Sequence, residues 1–278
     1  MRLGKKFADR QKILLEFAGK SLLEWHVQRL AETGITRLVV VTGYKREAIS
    51  STFPALQSRY GVQITEIVNP EFTEGSVLSV NASVPAISRA EGPILIMDGD
   101  VLYPSEMLRR LINSPHRSAL LIDREFSLQD DDPVLVPIRG GKPAEFLKRW
   151  QGEADLVGES IGFFKIDPAD IPLFIEETRR RTTGERRKES YDEILRALVL
   201  EGRLGFEDVT GMPWTEIDFP DDVKFAKIEI LPAILRYEGA ARKAFPILAA
   251  LLSALPLDHI VGWRHAFDCL TDAAELLA

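Results

Sequence analysis

The chain has 278 residues, 45% of them apolar, a formal net charge of −7 and a single cysteine, Cys269. That is enough apolar material for one large core or about two small ones. The acidic balance excludes wholesale nucleic-acid binding, which needs an extended basic surface, and the lone cysteine excludes an intramolecular disulfide or a cysteine-rich metal site. No apolar stretch, Ile247 to Leu257 included, approaches the roughly 20 residues of a membrane helix, and no signal peptide precedes the first polar residues, so a cytoplasmic location is expected.

At the N-terminus Arg2, Lys5, Lys6, Arg10 and Lys12 surround the single acid Asp9, and Arg2-Leu3-Gly4 reads as the tail of a phosphate-binding loop. Apolar residues at helical spacing after Ser21 (Leu22, Leu23, Val27, Leu30) predict a helix capped by Ser21 and closed by Gly34. Arg37 to Thr42 is a short β-branched run that suits a central parallel strand. A polar helix over about Lys45 to Tyr60 and a strand over Val62 to Val68 follow, then a helix near Val77 to Ser88. The apolar strand Pro93 to Met97 ends in Asp98-Gly99-Asp100. Strand and helix alternating in this order imply right-handed crossovers and an open sheet covered on both faces.

The second half is more antiparallel. Ser118 to Ile122 is a strand, and Val134 to Ile138 is expected to pair with Glu145 to Trp150 across Arg139-Gly140-Gly141-Lys142. Gly158 to Ile166 adds a long strand, helices over Asp170 to Arg181 and Tyr191 to Glu201 follow, and Leu204 to Val209 and Trp214 to Asp218 are short strands. A second basic cluster, Arg179, Arg180, Arg181, Arg186, Arg187 and Lys188, is read as a solvated face. His26 is expected on a helix face. Beyond about Lys227, Ala- and Leu-rich helices are expected to pack on the core or to form a dimer interface, and Cys269 is expected to be packing. The division is residues 1–229 as the main domain and 230–278 as a helical extension.

Acidic residues at strand ends carry the chemistry of such a sheet, whose ligands sit at the carboxyl edge. Asp98 and Asp100 end one strand and Asp218 another, and two carboxylates from different strands can share a Mg²⁺ with substrate phosphates. The same residues taken singly are also common helix caps and turn acceptors.

Taken in order, these pieces resemble the sugar-1-phosphate nucleotidyltransferases, and among them the small phosphocholine cytidylyltransferase branch. That family opens with a strand, then Leu-Ala-Ala-Gly-x-Gly-x-Arg-Leu/Met-Gly, then Pro-Lys. Arg2-Leu3-Gly4 matches the end of the loop and Gln11-Lys12 the later pair, with glutamine in place of proline. The likeness continues through Leu14 to Leu23, Gly34-Ile35, Val39 to Tyr44, Asn69-Pro70, Asp98-Gly99-Asp100 and Trp214 to Asp218, and covers about Arg2 to Ala226. The family's first strand and most of its glycine loop have no counterpart from Met1 onward, which fits either a start placed too late or a shortened protein.

The resemblance implies a Rossmann-like, GT-A-like three-layer α/β/α sandwich with a mixed sheet and a C-terminal helical extension. It implies transfer of a nucleoside monophosphate, CMP from CTP, to a small phosphate or phosphonate such as phosphocholine, with release of pyrophosphate. Mg²⁺ would be held by Asp100 and Asp218; Arg2, Lys12 and Lys148 would serve the reacting phosphates. Gly4, Thr42, Gly43, Tyr44, Gly75, Ser76 and Asp98 would bind the nucleotide, with Gly75 allowing close backbone approach and Ser76 either reading the base or capping its helix. Tyr191, Asp192, Trp214 and Glu216 would surround a cationic acceptor, although Tyr191 also suits the core and Asp192 a helix start. The partners expected are a nucleoside triphosphate and a phosphorylated acceptor, with a homodimer through the C-terminal helices. Two readings stand beside this one: a sugar-1-phosphate uridylyl- or thymidylyltransferase, and a non-catalytic nucleotide-binding protein.

Overall fold

In a computed structural model the chain is described over residues 11–126 and 133–240. A 3₁₀ turn at Lys12–Leu14 and the small hairpin of β1 (Glu16–Phe17) and β2 (Lys20–Ser21) lead into α1 (Leu22–Glu32). Ser21 caps that helix, its hydroxyl accepting from Glu24 N at 3.1 Å, and Gly34 follows its last turn in the left-handed region. β3 (Arg37–Thr42) and β4 (Gln63–Val68) pair in parallel along their whole length. Between them the single helix expected over 45–60 is two, α2 (Arg46–Ser50) and α3 (Phe53–Tyr60). Pro54 explains the break: it lacks an N–H, and inside a continuous helix its ring would meet the carbonyl of Ser50.

α4 (Val77–Ile87), β5 (Ile94–Met97) and β7 (Ser118–Asp123) come at the expected places, and β6 (Val101–Leu102) and α5 (Ser105–Ile112), which the sequence pattern did not announce, lie between the last two. β8 (Leu135–Arg139) does turn back at Gly140-Gly141, but its return strand, β9 (Lys142–Pro143), is two residues long, with one further bridge from Leu135 to Leu147. Pro137 and Pro143 both lack donors, so the ladder cannot extend as the sequence pattern implied. β10 (Leu156–Ile166), α6 (Ile171–Arg180), α7 (Asp192–Leu200), β11 (Leu204–Asp208), β12 (Thr215–Glu216) and α8 (Pro220–Phe225) complete the order. A π turn at Ala226–Ile230 then passes into a helix over 231–240, so helical structure crosses the 229/230 boundary. Glu238 on that last helix accepts from Ser105 N at 3.0 Å and pairs with Arg29 at 2.9 Å, which fastens it to the main body. The extension beyond, with Cys269 and the expected dimer helices, lies outside the described residues.

The main sheet has six strands in the order β11-β7-β10-β8-β9, with β5 also beside β10. β10 is antiparallel to its neighbours: β7 takes one edge, while on the other β5 pairs with its C-terminal half and β8 with its N-terminal half. β11 is parallel to β7. Alternate residues face opposite layers. Leu120, Ile122, Phe164 and Ile166 pack with Val77 of α4, Phe174 of α6 and Leu195 of α7; Ala119, Leu121 and Phe163 pack with Leu30 of α1 and Met107 and Leu111 of α5. Each large buried side chain among them contributes roughly 1.5–3 kcal/mol. The architecture is the mixed α/β/α sandwich that the resemblance implied. One expectation changes. β3 is not central among the described residues, where β4 is its one strand partner and Val39 is 39% exposed.

Candidate active site

The carboxyl end of β5 delivers the turn Asp98-Gly99-Asp100, and each of its residues is tied separately. Asp98 N donates to Gly162 O at 3.0 Å, Gly99 O faces His26 Nε2 at 3.3 Å, and Asp100 O accepts from Ile217 N at 2.9 Å. The last bond brings β12 alongside β6, so that Asp100, Glu216 and Asp218 each offer a carboxylate oxygen within 4.8 Å of the others. Asp222, in the first turn of α8, accepts from Asp218 N (2.8 Å) and Phe219 N (2.6 Å) and fixes the backbone from which Asp218 projects.

Lys12 lies between two of these acids. Its ammonium is 3.3 Å from Asp100 and also bonds Asp218, with side chains 29%, 26% and 19% exposed in the order Lys12, Asp100, Asp218. Burial works against the lysine's charge, but Asp100 and Asp218 outweigh it and its pKa rises. Three hard oxygen donors crowded this closely call for a positive charge. The set fits Mg²⁺, which prefers oxygen ligands and commonly takes one or two carboxylates while leaving positions for water and phosphate.

Asp98 faces the other way. Tyr191 OH lies 2.8 Å from both of its carboxylate oxygens, and burial together with the neighbouring Asp100 pushes its pKa well above the usual carboxylate range despite that bond. Burial and Asp98 likewise raise the Tyr191 hydroxyl. Gly162, at φ +77° on β10, makes room for this: a Cβ there would come within 2.2 Å of Asp98 Oδ2.

Behind the turn His26 is buried at 5% exposure, with Nδ1 3.2 Å from Tyr103 OH. A carbonyl can only accept, so Nε2 carries the proton and Tyr103 donates to Nδ1. Burial lowers the imidazole pKa from 6.5 to about 4, so the ring is neutral near pH 7. His26 does lie on a helix face, the one that α1 turns to the interior.

Thr42 ends β3, Gly43 and Tyr44 follow it, and Thr42 is bound to the end of β4. Thr42 Oγ1 donates to Glu66 at 2.7 Å, Asn69 N donates to Thr42 O at 2.8 Å, and Gln11 bonds the Tyr44 carbonyl. Gly43 is required by Phe72, whose ring a Cβ would strike, and the exposed Tyr44 ring sits 6.2 Å from that of Phe72. The close backbone approach expected at Gly75 is to this chain's own segment, since its N–H donates to Arg187 O and a Cβ would lie 2.2 Å from Glu189 O. Ser76 begins α4 without capping it, because its Oγ accepts from Tyr191 N at 2.9 Å instead. Arg187 pairs with Glu71 across the same seam; Arg180, Arg186 and Lys188 are exposed as a solvated face requires, whereas Arg181 is only 11% exposed and pairs with the buried Glu177.

The expected acceptor cage is rearranged. Tyr191 has its hydroxyl on Asp98 and its ring edge-on to Phe164, and Trp214 donates its indole N–H to Asp123 at 2.7 Å while packing on the apolar layer of α5. Both polar groups are committed inside the protein. Asp192 accepts from Ser190 Oγ at 2.7 Å, and Glu216 stands with the metal-type carboxylates. Lys148 is exposed and lies beyond the short return strand. Arg2 and Gly4 lie outside the described residues. Sequence reasoning missed Gly162 and the buried His26–Tyr103 pair; a glycine inside an apolar strand was the one available signal for the first.

Residues 2–161 match the MobA-like NTP transferase domain, and the chain belongs to that family. It is similar to a bifunctional IPC transferase and DIPP synthase of Rubrobacter xylanophilus, at 28% identity over 231 residues, or 80% of this chain and 48% of that protein. A CMP-5'-(3-aminopropyl)phosphonate synthase of Streptomyces rubellomurinus is 30% identical over 248 residues, 83% of this chain and 37% of that one. The chain thus spans about half the length of the first relative and less of the second. Among solved structures, the inositol-1-phosphate CTP transferase from T. maritima superposes with a TM-score of 0.67 at 20% identity, over 84% of this chain and 91% of that one. The CTP:phosphocholine cytidylyltransferase of Streptococcus pneumoniae gives 0.63 at 19%, over 82% and 92%. The nucleotidyltransferase fold implied by the motifs is the fold of this chain.

Proposed function

We propose that this chain transfers a cytidylyl group from CTP to a small phosphate or phosphonate and releases pyrophosphate, with Mg²⁺ as its metal. The observation that carries the reading is the set of Asp100, Asp218 and Glu216 at strand ends with Lys12 among them. The printed activities of the Streptomyces relative and of both solved structures support CTP or CMP chemistry.

The acceptor oxygen attacks the α-phosphorus in line, the bond from that phosphorus to the bridging oxygen breaks, and pyrophosphate leaves with the electron pair. No enzyme group becomes covalently attached, so alignment and neutralisation of charge are what the protein supplies. Asp100 and Asp218, with Glu216 beside them, would hold Mg²⁺, which when bound draws negative charge from the nucleotide and acceptor phosphates. Lys12 and Arg2 steady the triphosphate and the departing pyrophosphate, and Lys148 serves the acceptor phosphate. Thr42 to Tyr44 and the segment at Gly75-Ser76 form the nucleotide wall. Asp98 supports that wall from within through Tyr191, and Asp192 and Trp214 shape the acceptor side from behind it.

The test is pyrophosphate release with CTP, UTP, GTP or ATP against phosphocholine, 2-aminoethylphosphonate, inositol 1-phosphate and glucose 1-phosphate. Expected is metal-dependent release that favours CTP. Preference for UTP with a sugar phosphate would replace the reading by a uridylyltransferase. Saturable CTP binding without pyrophosphate release in the presence of any acceptor would replace it by a non-catalytic nucleotide-binding protein.

A further inference from the structure

Between Asp98 and Asp100 the chain passes through a glycine, the residue type whose backbone is least restrained by its own side chain. The Gly99 carbonyl belongs to the peptide unit that carries Asp100 N, so rotation of that unit swings the Asp100 carboxylate directly. Something outside the turn has to hold it. The neighbouring ties act on residues 98 and 100 through Gly162 and Ile217; the Gly99 carbonyl itself faces a side chain, His26 of α1.

We propose that His26 is a positioning residue for the carboxylate turn, its Nε2–H holding the Gly99 carbonyl and so setting the direction in which Asp100 presents its oxygens to the metal. The inference rests on the metal reading given above and goes beyond it in assigning a role to a residue that touches neither substrate nor ligand.

The surroundings of the ring keep it in one pose. Its centroid is 5.3 Å from that of Tyr103 and 6.4 Å from that of Phe163, and Tyr103 meets Phe163 edge-on at 4.7 Å. Tyr103 is held in turn from its backbone, where the carbonyl accepts from Arg29 Nε at 2.5 Å, and Arg29 is anchored by Glu238. Tyr103 thereby fixes the tautomer through Nδ1 and leaves Nε2–H for the turn. A histidine that only filled space would be replaceable by leucine or phenylalanine, both of which suit an apolar pocket better. The ring is instead buried and polar with each nitrogen committed, one of them to the backbone between the carboxylates.

Chain geometry supplies the control. A glutamine amide places its NH₂ about where Nε2 stands, whereas an asparagine amide reaches only to the position of Nδ1. Mn²⁺ binding, followed by electron paramagnetic resonance of the free ion without nucleotide, is measured for the unaltered chain and for His26→Leu, His26→Asn, His26→Gln and Asp218→Ala, each checked for folding by thermal melting. Expected is about 10-fold weaker Mn²⁺ binding in His26→Leu and His26→Asn, in the range seen when groups behind metal ligands are removed. His26→Gln should recover most of it, and Asp218→Ala should lose it. A folded His26→Leu that binds Mn²⁺ like the unaltered chain overturns the role of His26 while leaving the metal site in place. Should His26→Leu not fold, equal affinities in His26→Asn and His26→Gln overturn it in the same way. Unchanged binding in Asp218→Ala overturns the metal reading, and the role of His26 falls with it.

Discussion

Asp98 and Asp100 leave the same strand two residues apart and end in opposite surroundings. On the outer side Asp100 shares the ammonium of Lys12 with Asp218 and is partly open to water. On the inner side Asp98 is closed in by Tyr191 and Gly162, with a pKa pushed well above the ordinary range. A strand's alternation alone would put two residues so spaced on one face. The glycine turn between them and the partners that meet them separate one sequence motif into an outer wall facing Lys12 and an inner one closed by Tyr191.

The sharpest way to break this contrast is to remove one charge at a time. Asp100→Asn should lower pyrophosphate release by about 10²–10³-fold, the scale of losing one stabilising group at a reacting centre. Asp98→Asn should cost less than about 10-fold, since the amide keeps an oxygen for Tyr191; equal losses would abolish the distinction. Stability should separate the two as well. A carboxyl whose pKa is raised on folding favours the native state at low pH and loses that contribution as pH rises through its raised value. Asp98→Asn should therefore gain in melting temperature relative to the unaltered chain as the pH climbs above about 4.

A smaller effect tests the layer behind the turn. His26 is near pKa 4 when folded and 6.5 when exposed, so the unfolded chain binds its proton first and stability falls as pH drops through that window. Between pH 7 and 5 the loss from this residue is about 2 kcal/mol, and denaturant titrations of the unaltered chain and His26→Gln should differ by that amount in their change with pH. The smallest effect is expected from Tyr191→Phe. Removing one buried donor should cost about 1 kcal/mol by urea midpoint, and pairing it with Asp98→Asn should give less than the sum if the two groups act together.

Much of this was legible along the chain because it depends on near neighbours. Ser21 followed by periodic apolar residues gave a helix start, and the run into Asp98 gave a strand end facing the crevice. Pro54 was legible too and was passed over; a proline nine residues into a supposed helix marks a break. What could not be read depends on distant partners. Glu216 joins the acidic cluster because β12 pairs with β6, Trp214 turns to Asp123 and Tyr191 to Asp98, the last two across 91 and 93 positions of sequence. Composition holds no trace of such pairings. Arg37 to Thr42 teaches a related limit: a β-branched run states that both faces are apolar, and burial pattern along β3 still varies with the strands beside it.

Anyone wishing to make a hardier version of this protein would begin with glycines, because trading one for alanine stiffens the unfolded chain and commonly adds about 0.4–1 kcal/mol. Gly162 is where that recipe reverses. The added methyl would need a left-handed backbone and would occupy the space of the Asp98 carboxylate, so a saturation library should tolerate almost nothing there. A position that contributes no side chain of its own would then rank with the reacting residues in its intolerance of change.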